Sequence, residues 1–128
     1  MARYDVYTPE VDNKGIDFIV SRDGNYFEIQ VKSIRIEKSK YVFMDKTKFD
    51  ITKSNLYLSL VIFKEHEEPK IYLINRKAWK MQSEVFKEKK YEGKRSAPEW
   101  GINISKKNMD VLNQYQIENV IEEMGRSR

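Results

Sequence analysis

Four polar residues in two neighbouring segments have the types and spacing to bind a hard metal ion beside a phosphate. Glu28, Gln30 and Lys32 alternate with apolar residues in "YFEIQVKS", and alternate residues of a β-strand point to one face of its sheet. Asp17 lies inside the apolar segment "GIDFIVS". We expect its carboxylate to be desolvated there, which is unfavourable unless a group such as a divalent cation compensates the charge.

The turn signal "RDGN" between the two segments predicts that they pair as antiparallel strands. Pairing would bring Asp17 close to Gln30, and both supply oxygen ligands of the kind that Mg²⁺ or Mn²⁺ prefers, with the Val31 main-chain carbonyl as a third. Lys32 would place an ammonium where negative charge develops during attack of water on a phosphate. The arrangement predicts hydrolysis of a phosphodiester. The alternative is that Glu28, Gln30 and Lys32 form only the solvated face of a half-exposed strand.

Six segments carry the apolar alternation or the short apolar runs that are typical of strands, and they could position this site. The apolar phase changes at Ile34 and Ile36, which predicts a bulge or a strand end near Ser33. The polar segment 64–69 predicts a turn between the last two strands. The predicted strands are 3–9, 15–21, 26–36, 40–44, 56–63 and 70–74.

Two later segments have patterns that predict helices. The first spans 75–86, and the second follows Ser105, a residue type that favours the N-cap position, and spans 106–124. The fold class predicted is α/β, with a mixed β-sheet of about five to six strands flanked by helices in one domain, 1–128. An apolar stripe at helical spacing in the second helix is expected to cover the sheet or to bind another subunit: Met109, Leu112, Ile117, Val120, Ile121 and Met124.

Composition limits the classes of protein that the chain can belong to. A chain of 128 residues with 40% hydrophobic residues has room for one modest core. The absence of Cys excludes disulfides and thiolate metal sites and suits a reducing cytoplasm. No apolar run approaches the roughly 18 residues needed to cross a bilayer, so we expect no membrane partner. Lys and Arg number 24 against 20 Asp and Glu, a balance compatible with a polyanionic partner.

Two basic segments are candidates for contacts with nucleic acid. In the first, lysines alternate with aromatic residues, which suggests a groove that follows a phosphate backbone; the alternative is a solvated edge whose aromatics face inward. The second is a polar loop suited to non-specific backbone contacts. The residues are Lys38, Lys40, Lys46 and Lys48 in the first segment, and Lys89, Lys90, Lys94 and Arg95 in the second. Trp79 and Trp100 could stack on bases, although core contacts are the more usual role for tryptophans in such positions.

Residues 15–33 resemble the core of the PD-(D/E)XK nuclease superfamily, in the Mrr-like and resolvase-like branch whose third motif reads Gln-x-Lys. The resemblance implies that Asp17 is the metal-binding carboxylate, Gln30 the second metal ligand and Lys32 the catalytic lysine. It leaves Glu28 as an auxiliary ligand or a positioning group. It also implies a restriction-endonuclease-like αβββαβ core with helices on both faces, and a nuclease that cuts DNA, or alternatively RNA, with Mg²⁺ or Mn²⁺ in a defence or mobile-element context.

The sequence departs from this family at its beginning. Family members usually start with a helix that often carries a metal-binding Glu, whereas here a predicted strand begins almost at Met1. Glu10 and Asp12 are the nearest acids that could replace that Glu, and solvated loop charge is their alternative role. We expect a homodimer, since two sites related by a two-fold axis can cut both strands of DNA. The alternative function is a catalytically inactive nuclease-like module that binds nucleic acid or protein.

Overall fold

A computed structural model describes residues 4–9, 15–81, 83–90 and 97–126 of the chain. Most of the regular secondary structure in the described residues is β-strand, and the helical segments are short. Strands in chain order are β1 (Asp5–Tyr7), β2 (Phe18–Arg22), β3 (Asn25–Arg35), β4 (Tyr41–Asp45), β5 (Leu56–Phe63), β6 (Lys70–Asn75), β7 (Phe86–Lys89) and β8 (Glu99–Asn103). The helical segments are two 3₁₀ turns, Arg76–Trp79 and Lys106–Asn108, and the α-helices α1 (Met109–Asn113) and α2 (Ile117–Arg126).

Five strands form a mixed sheet in the order β1-β2-β3-β5-β6, which confirms the predicted mixed sheet. Only β3 and β5 run parallel; the other neighbours are antiparallel. Asp23 and Gly24 join β2 to β3 with positive φ angles of 52° and 80°. A two-residue hairpin turn of this kind requires such angles, so the predicted Asp-Gly turn is confirmed.

The predicted strand at 40–44 forms β4, but it lies in a second sheet with the order β4-β8-β7. The strands β7 and β8 were not predicted. These two strands contain charged residues and a glycine, so the apolar alternation that predicts a strand is weak in them. In the structure β8 pairs along its whole length with β4 and also pairs with β7. These pairings supply the backbone hydrogen bonds that the local sequence of β7 and β8 does not specify.

Buried apolar residues of β3 lie on both of its faces. Phe27 and Ile29 pack with Tyr57, Leu73 and Met124 on one face. On the other face Ile34 joins the larger core, which includes residues of β5 and of the second sheet. In the pairing with β5, Gln30 is opposite Leu58, Lys32 opposite Leu60 and Ile34 opposite Ile62, so these residues share one face.

The predicted bulge or strand end near Ser33 is therefore wrong, because β3 continues to Arg35. The change in the apolar alternation at Ile34 has another cause. From Ile34 onward the second sheet covers the face that carries Gln30 and Lys32, so an apolar residue takes a position where the pattern had been polar.

The helix predicted for 75–86 is also wrong. A single 3₁₀ turn, Arg76–Trp79, is followed by an irregular stretch and by β7. The buried Trp79 indole donates a hydrogen bond to the Gly101 carbonyl at 2.9 Å, and its ring meets Phe86 edge to face at 5.2 Å. These long-range contacts favour an extended chain at Phe86 over a continued helix.

The helix predicted for 106–124 is interrupted. Ser105 precedes a 3₁₀ turn and makes no side-chain capping bond, and residues 114–116 separate α1 from α2. At this break the Leu73 N–H donates to the Tyr115 carbonyl at 2.7 Å. Because β6 is an edge strand, its outward amide needs a partner, and the interrupted helix supplies one.

The two helices cover the sheet within the chain, as one reading of the apolar stripe predicted. Leu112 packs in the larger core and Met124 in the smaller one. Ile117 and Val120 lie against the smaller core. In the described part of the chain, no helix is long and apolar enough to cross a membrane.

Candidate functional site

Asp17 lies immediately before β2 and is exposed. Its N–H donates to the Ile29 carbonyl at 2.9 Å, and its carboxylate oxygen Oδ2 accepts a hydrogen bond from the Val31 N–H at 2.8 Å. The expectation of a desolvated carboxylate is therefore wrong, since water and a main-chain amide both stabilise the charge. The amide contact brings the carboxylate to the main chain between Gln30 and Lys32.

The Val31 carbonyl points to the same edge of β3 as the Val31 N–H, because the two groups of one strand residue share an edge. That edge is the one at which Asp17 lies. The predicted third ligand therefore faces the Asp17 side of the strand.

Gln30 is buried, with 5% of its surface exposed. Its side-chain oxygen Oε1 is inaccessible to solvent and has no hydrogen-bond partner among the residues that the structure describes. A buried polar atom without a partner is unfavourable by about 1–3 kcal/mol and calls for an explanation such as a missing ion or water. Gln30 therefore has a buried carbonyl oxygen that the described residues leave without a partner.

Gly15 explains how the chain can approach Gln30 so closely. A Cβ added at Gly15 would lie 3.3 Å from Gln30 Nε2 and 3.4 Å from Lys48 Cβ. Gly15 also has a φ of 84°, a conformation that glycine adopts without strain. The tight packing orients the Gln30 amide and brings Lys48 to this side of the sheet.

Lys32 and Glu28 lie on the Gln30 face but differ in their surroundings. Lys32 is half-buried and makes no ion pair within the described ranges. Glu28 accepts two hydrogen bonds from Lys53 Nζ, at 2.8 and 3.2 Å. The sequence did not indicate this pair, because the two residues are far apart in the chain. The pair compensates the Glu28 charge, so Glu28 is held as a structural group beside the site.

The oxygens of Asp17, Gln30 and Val31 match the ligands of a hard cation such as Mg²⁺, which usually keeps several positions for water and substrate phosphate. The described residues contain no group of three or more His, Cys, Asp or Glu that could hold a metal ion. One carboxylate with two neutral oxygens would supply only part of such a shell. Glu10 and Asp12, the candidate auxiliary acids, lie outside the described residues.

The predicted basic residues are distributed over several parts of the molecule. Lys48 is the one that lies beside Gly15 and the candidate site. Lys46 pairs with Glu88 and lies over the Trp100 ring at 4.2 Å, and Lys89 lies over the Tyr41 ring at 4.3 Å. Lys38, Lys40 and Lys90 are exposed, while Lys94 and Arg95 lie outside the described residues.

The two tryptophans serve the fold. Trp79 is buried in the larger core, and Trp100 packs against that core while its ring holds the Lys46 ammonium. Stacking of bases on Trp79 would require the core to open.

Comparison with known proteins adds no relative: the chain matches no protein-family model, and no curated protein matches it at a significant level. The resemblance to PD-(D/E)XK nucleases therefore depends on residues 15–33.

Proposed function

We propose that this protein is a metal-dependent nuclease of the PD-(D/E)XK type that hydrolyses DNA phosphodiester bonds with Mg²⁺ or Mn²⁺. The observation that carries the proposal is the unpaired, buried Oε1 of Gln30, two residues before Lys32 and next in the chain to the amide that binds the Asp17 carboxylate.

Asp17, Gln30 and the Val31 carbonyl would hold the ion. When bound, Mg²⁺ supplies a Lewis acid that stabilises charge on the phosphate and lowers the pKa of water. The Val31 N–H fixes the Asp17 carboxylate, and the packing of Gly15 fixes the Gln30 amide. Preorganised ligands of this kind need little rearrangement when the substrate binds.

Lys32 contributes the positive charge. The half-buried Lys32 side chain lies on the Gln30 face, where its ammonium can bind a non-bridging phosphate oxygen as negative charge develops in the transition state. Lys53 neutralises Glu28 on the same face, so Glu28 does not compete with the phosphate for Lys32. This gives Glu28 a positioning role.

The alternative is a nuclease-like module that binds nucleic acid without cutting it. One observation favours it: the described residues place a single carboxylate at the metal ligands, and the nearby Glu28 is already paired with Lys53. A site with so few charges would bind metal weakly.

Plasmid nicking separates these two functions. Under the nuclease proposal, the protein nicks supercoiled DNA in Mg²⁺ or Mn²⁺, and Lys32→Ala abolishes nicking while DNA binding changes little, because only one charge is lost. Lys80→Ala, which changes an exposed lysine away from the site, is the matched control and should nick normally. Absence of nicking by the unmodified protein with either metal and with several DNA and RNA forms would favour the binding module.

We also propose that the nuclease acts as a homodimer through the edge of the mixed sheet. The edge strand β1 exposes Val6 and Tyr7, by 61% and 50%, and Phe18 on β2 is 38% exposed. An exposed apolar edge favours association. Analytical ultracentrifugation at tens of micromolar should detect a dimer that Val6→Lys converts to a monomer. A monomer in the unmodified protein would contradict this proposal.

A further inference from the structure

A cavity of about 640 Å³ opens at the carboxyl ends of the parallel strands β3 and β5. Its volume lies in the range of small-molecule sites, about 300–1,000 Å³. The apolar part of the wall comes from β5, β6, α1 and the residues that follow β3 and β8, so the cavity is formed by tertiary packing. That part consists of Ile36, Ile62, Tyr72, Ile104 and Met109.

Two hydroxyl-bearing residues line the cavity, and one of them makes no hydrogen bond among the described residues. Tyr72 is fully buried. Burial raises the pKa of Tyr72, and a hydrogen bond with the Gln116 side chain offsets part of that rise. Ser105 Oγ has no partner among the described residues and makes no capping bond to the turn that follows it. A buried hydroxyl of this kind calls for a group outside the described residues to complete its hydrogen bond.

The rim of the cavity carries more free positive than negative charge. Lys64 pairs with Glu67 at 3.2 Å. The Glu37 carboxylate accepts a hydrogen bond from the Glu65 N–H at 2.9 Å, which lowers the pKa of Glu37. Three further lysines on the rim form no ion pair within the described part of the chain, and neither do the acids Glu37 and Glu68. These lysines are Lys40, Lys70 and Lys106.

We propose that this cavity binds a small organic anion with an apolar, ring-containing body. The isoleucines and Met109 would contact the ring, the free lysines would attract the negative charge, and the Ser105 hydroxyl would bind a polar group of the ligand. Ser105 Oγ is shielded from solvent, and a rotation about its side-chain bond would bring it to the ligand.

This cavity is separate from the candidate nuclease site. Ile36 lies six residues beyond Gln30 along the β3 direction, or roughly 20 Å at about 3.3 Å per residue. The lining includes none of the residues that would hold the metal ion. The proposal therefore does not depend on nuclease activity.

A fluorescent probe of the same chemical class tests the proposal. The probe is 8-anilinonaphthalene-1-sulfonate, and N-phenyl-1-naphthylamine is its neutral analogue with the same apolar body. Fluorescence titration gives affinity, and amide NMR shifts in the ¹⁵N-labelled full chain locate the probe. We expect saturable binding of one sulfonate probe with shifts around Ile104 and Tyr72, and weaker binding of the neutral analogue.

Substitutions identify the groups that bind the probe. Lys40→Gln and Lys106→Gln should each weaken binding about two- to fivefold, as expected for partly exposed charge pairs. The control Lys80→Gln should not change it. Ser105→Ala should weaken binding about two- to tenfold without lowering the melting temperature of the free protein, because Ser105 has no bond to lose.

Three outcomes would overturn the proposal. The first is no binding of the sulfonate probe at millimolar concentration. The second is binding that is insensitive to both lysine substitutions. The third is NMR shifts that map to the other apolar groove, near Phe18 and Ile121, instead of to this cavity. A fall in stability on Ser105→Ala would assign Ser105 a structural role and remove the hydroxyl from the proposed site.

Discussion

Replacing Gln30 by methionine tests the candidate metal site through protein stability, without any assay of activity. Methionine has a similar unbranched shape but no buried carbonyl oxygen. Because Oε1 of Gln30 has no partner in the described residues, its removal should stabilise the metal-free protein by about 1–2 kcal/mol, within the range for an unsatisfied buried polar group. For a domain of this size the melting temperature should rise by about 4 °C per kcal/mol.

Metal ions should stabilise the unmodified protein more than the Gln30→Met variant. At a Mn²⁺ concentration ten times the dissociation constant, binding stabilises the unmodified protein by about 1.4 kcal/mol. If Gln30→Met weakens binding tenfold, the same concentration stabilises the variant by only about 0.4 kcal/mol. The variant should therefore be more stable than the unmodified protein in chelator and should gain less stability from Mn²⁺.

Thermal unfolding followed by circular dichroism, with chelator and with increasing Mn²⁺, measures both effects. Gln114→Met, at an exposed glutamine, is the matched control and should respond to Mn²⁺ like the unmodified protein. The reasoning is refuted if Gln30→Met lowers the melting temperature in chelator by several degrees, or if the variant and the unmodified protein gain equally from Mn²⁺.

Three further predictions concern the residues around the site and the core. Lys53→Met should destabilise the protein by about 0.5–1 kcal/mol, since the ion pair with Glu28 is partly exposed. A double-mutant cycle with Glu28→Gln measures the coupling energy of the pair, and a coupling energy near zero would contradict this prediction. Gly101→Ala should destabilise by about 1–3 kcal/mol, because its Cβ would lie 1.9 Å from the Tyr41 hydroxyl oxygen; Tyr41→Ala should remove most of that loss in urea unfolding, and an additive loss would argue against the contact. Burial raises the pKa of Tyr57, Tyr72 and Tyr115. These tyrosines therefore keep their protons to higher pH in the folded state than in the unfolded state, and the stability of the protein should fall as pH rises above about 10. An absorbance titration should show that they ionise only as the protein unfolds, and their ionisation in the folded protein near pH 10 would contradict the burial argument.

The sequence by itself determined the features that depend on residues close together in the chain. The alternation in 26–36 and the Asp-Gly turn specify the hairpin of β2 and β3, because side-chain direction and turn geometry are local properties. The short apolar runs specify β5 and β6, and the polar segment between them specifies their turn. The candidate site residues on β3 and their common face follow from the same alternation.

Only the tertiary structure decided which of these local elements are covered, interrupted or paired at long range. The second sheet covers the face of β3 that carries Gln30, and the amide of Val31 binds the Asp17 carboxylate that the sequence had placed in an apolar environment. The edge of β6 interrupts the C-terminal helix at Tyr115. In each case a hydrogen-bonding group or an apolar face must find a partner. For the face of β3 and the edge of β6 that partner comes from a segment remote in the chain, which local sequence patterns do not identify.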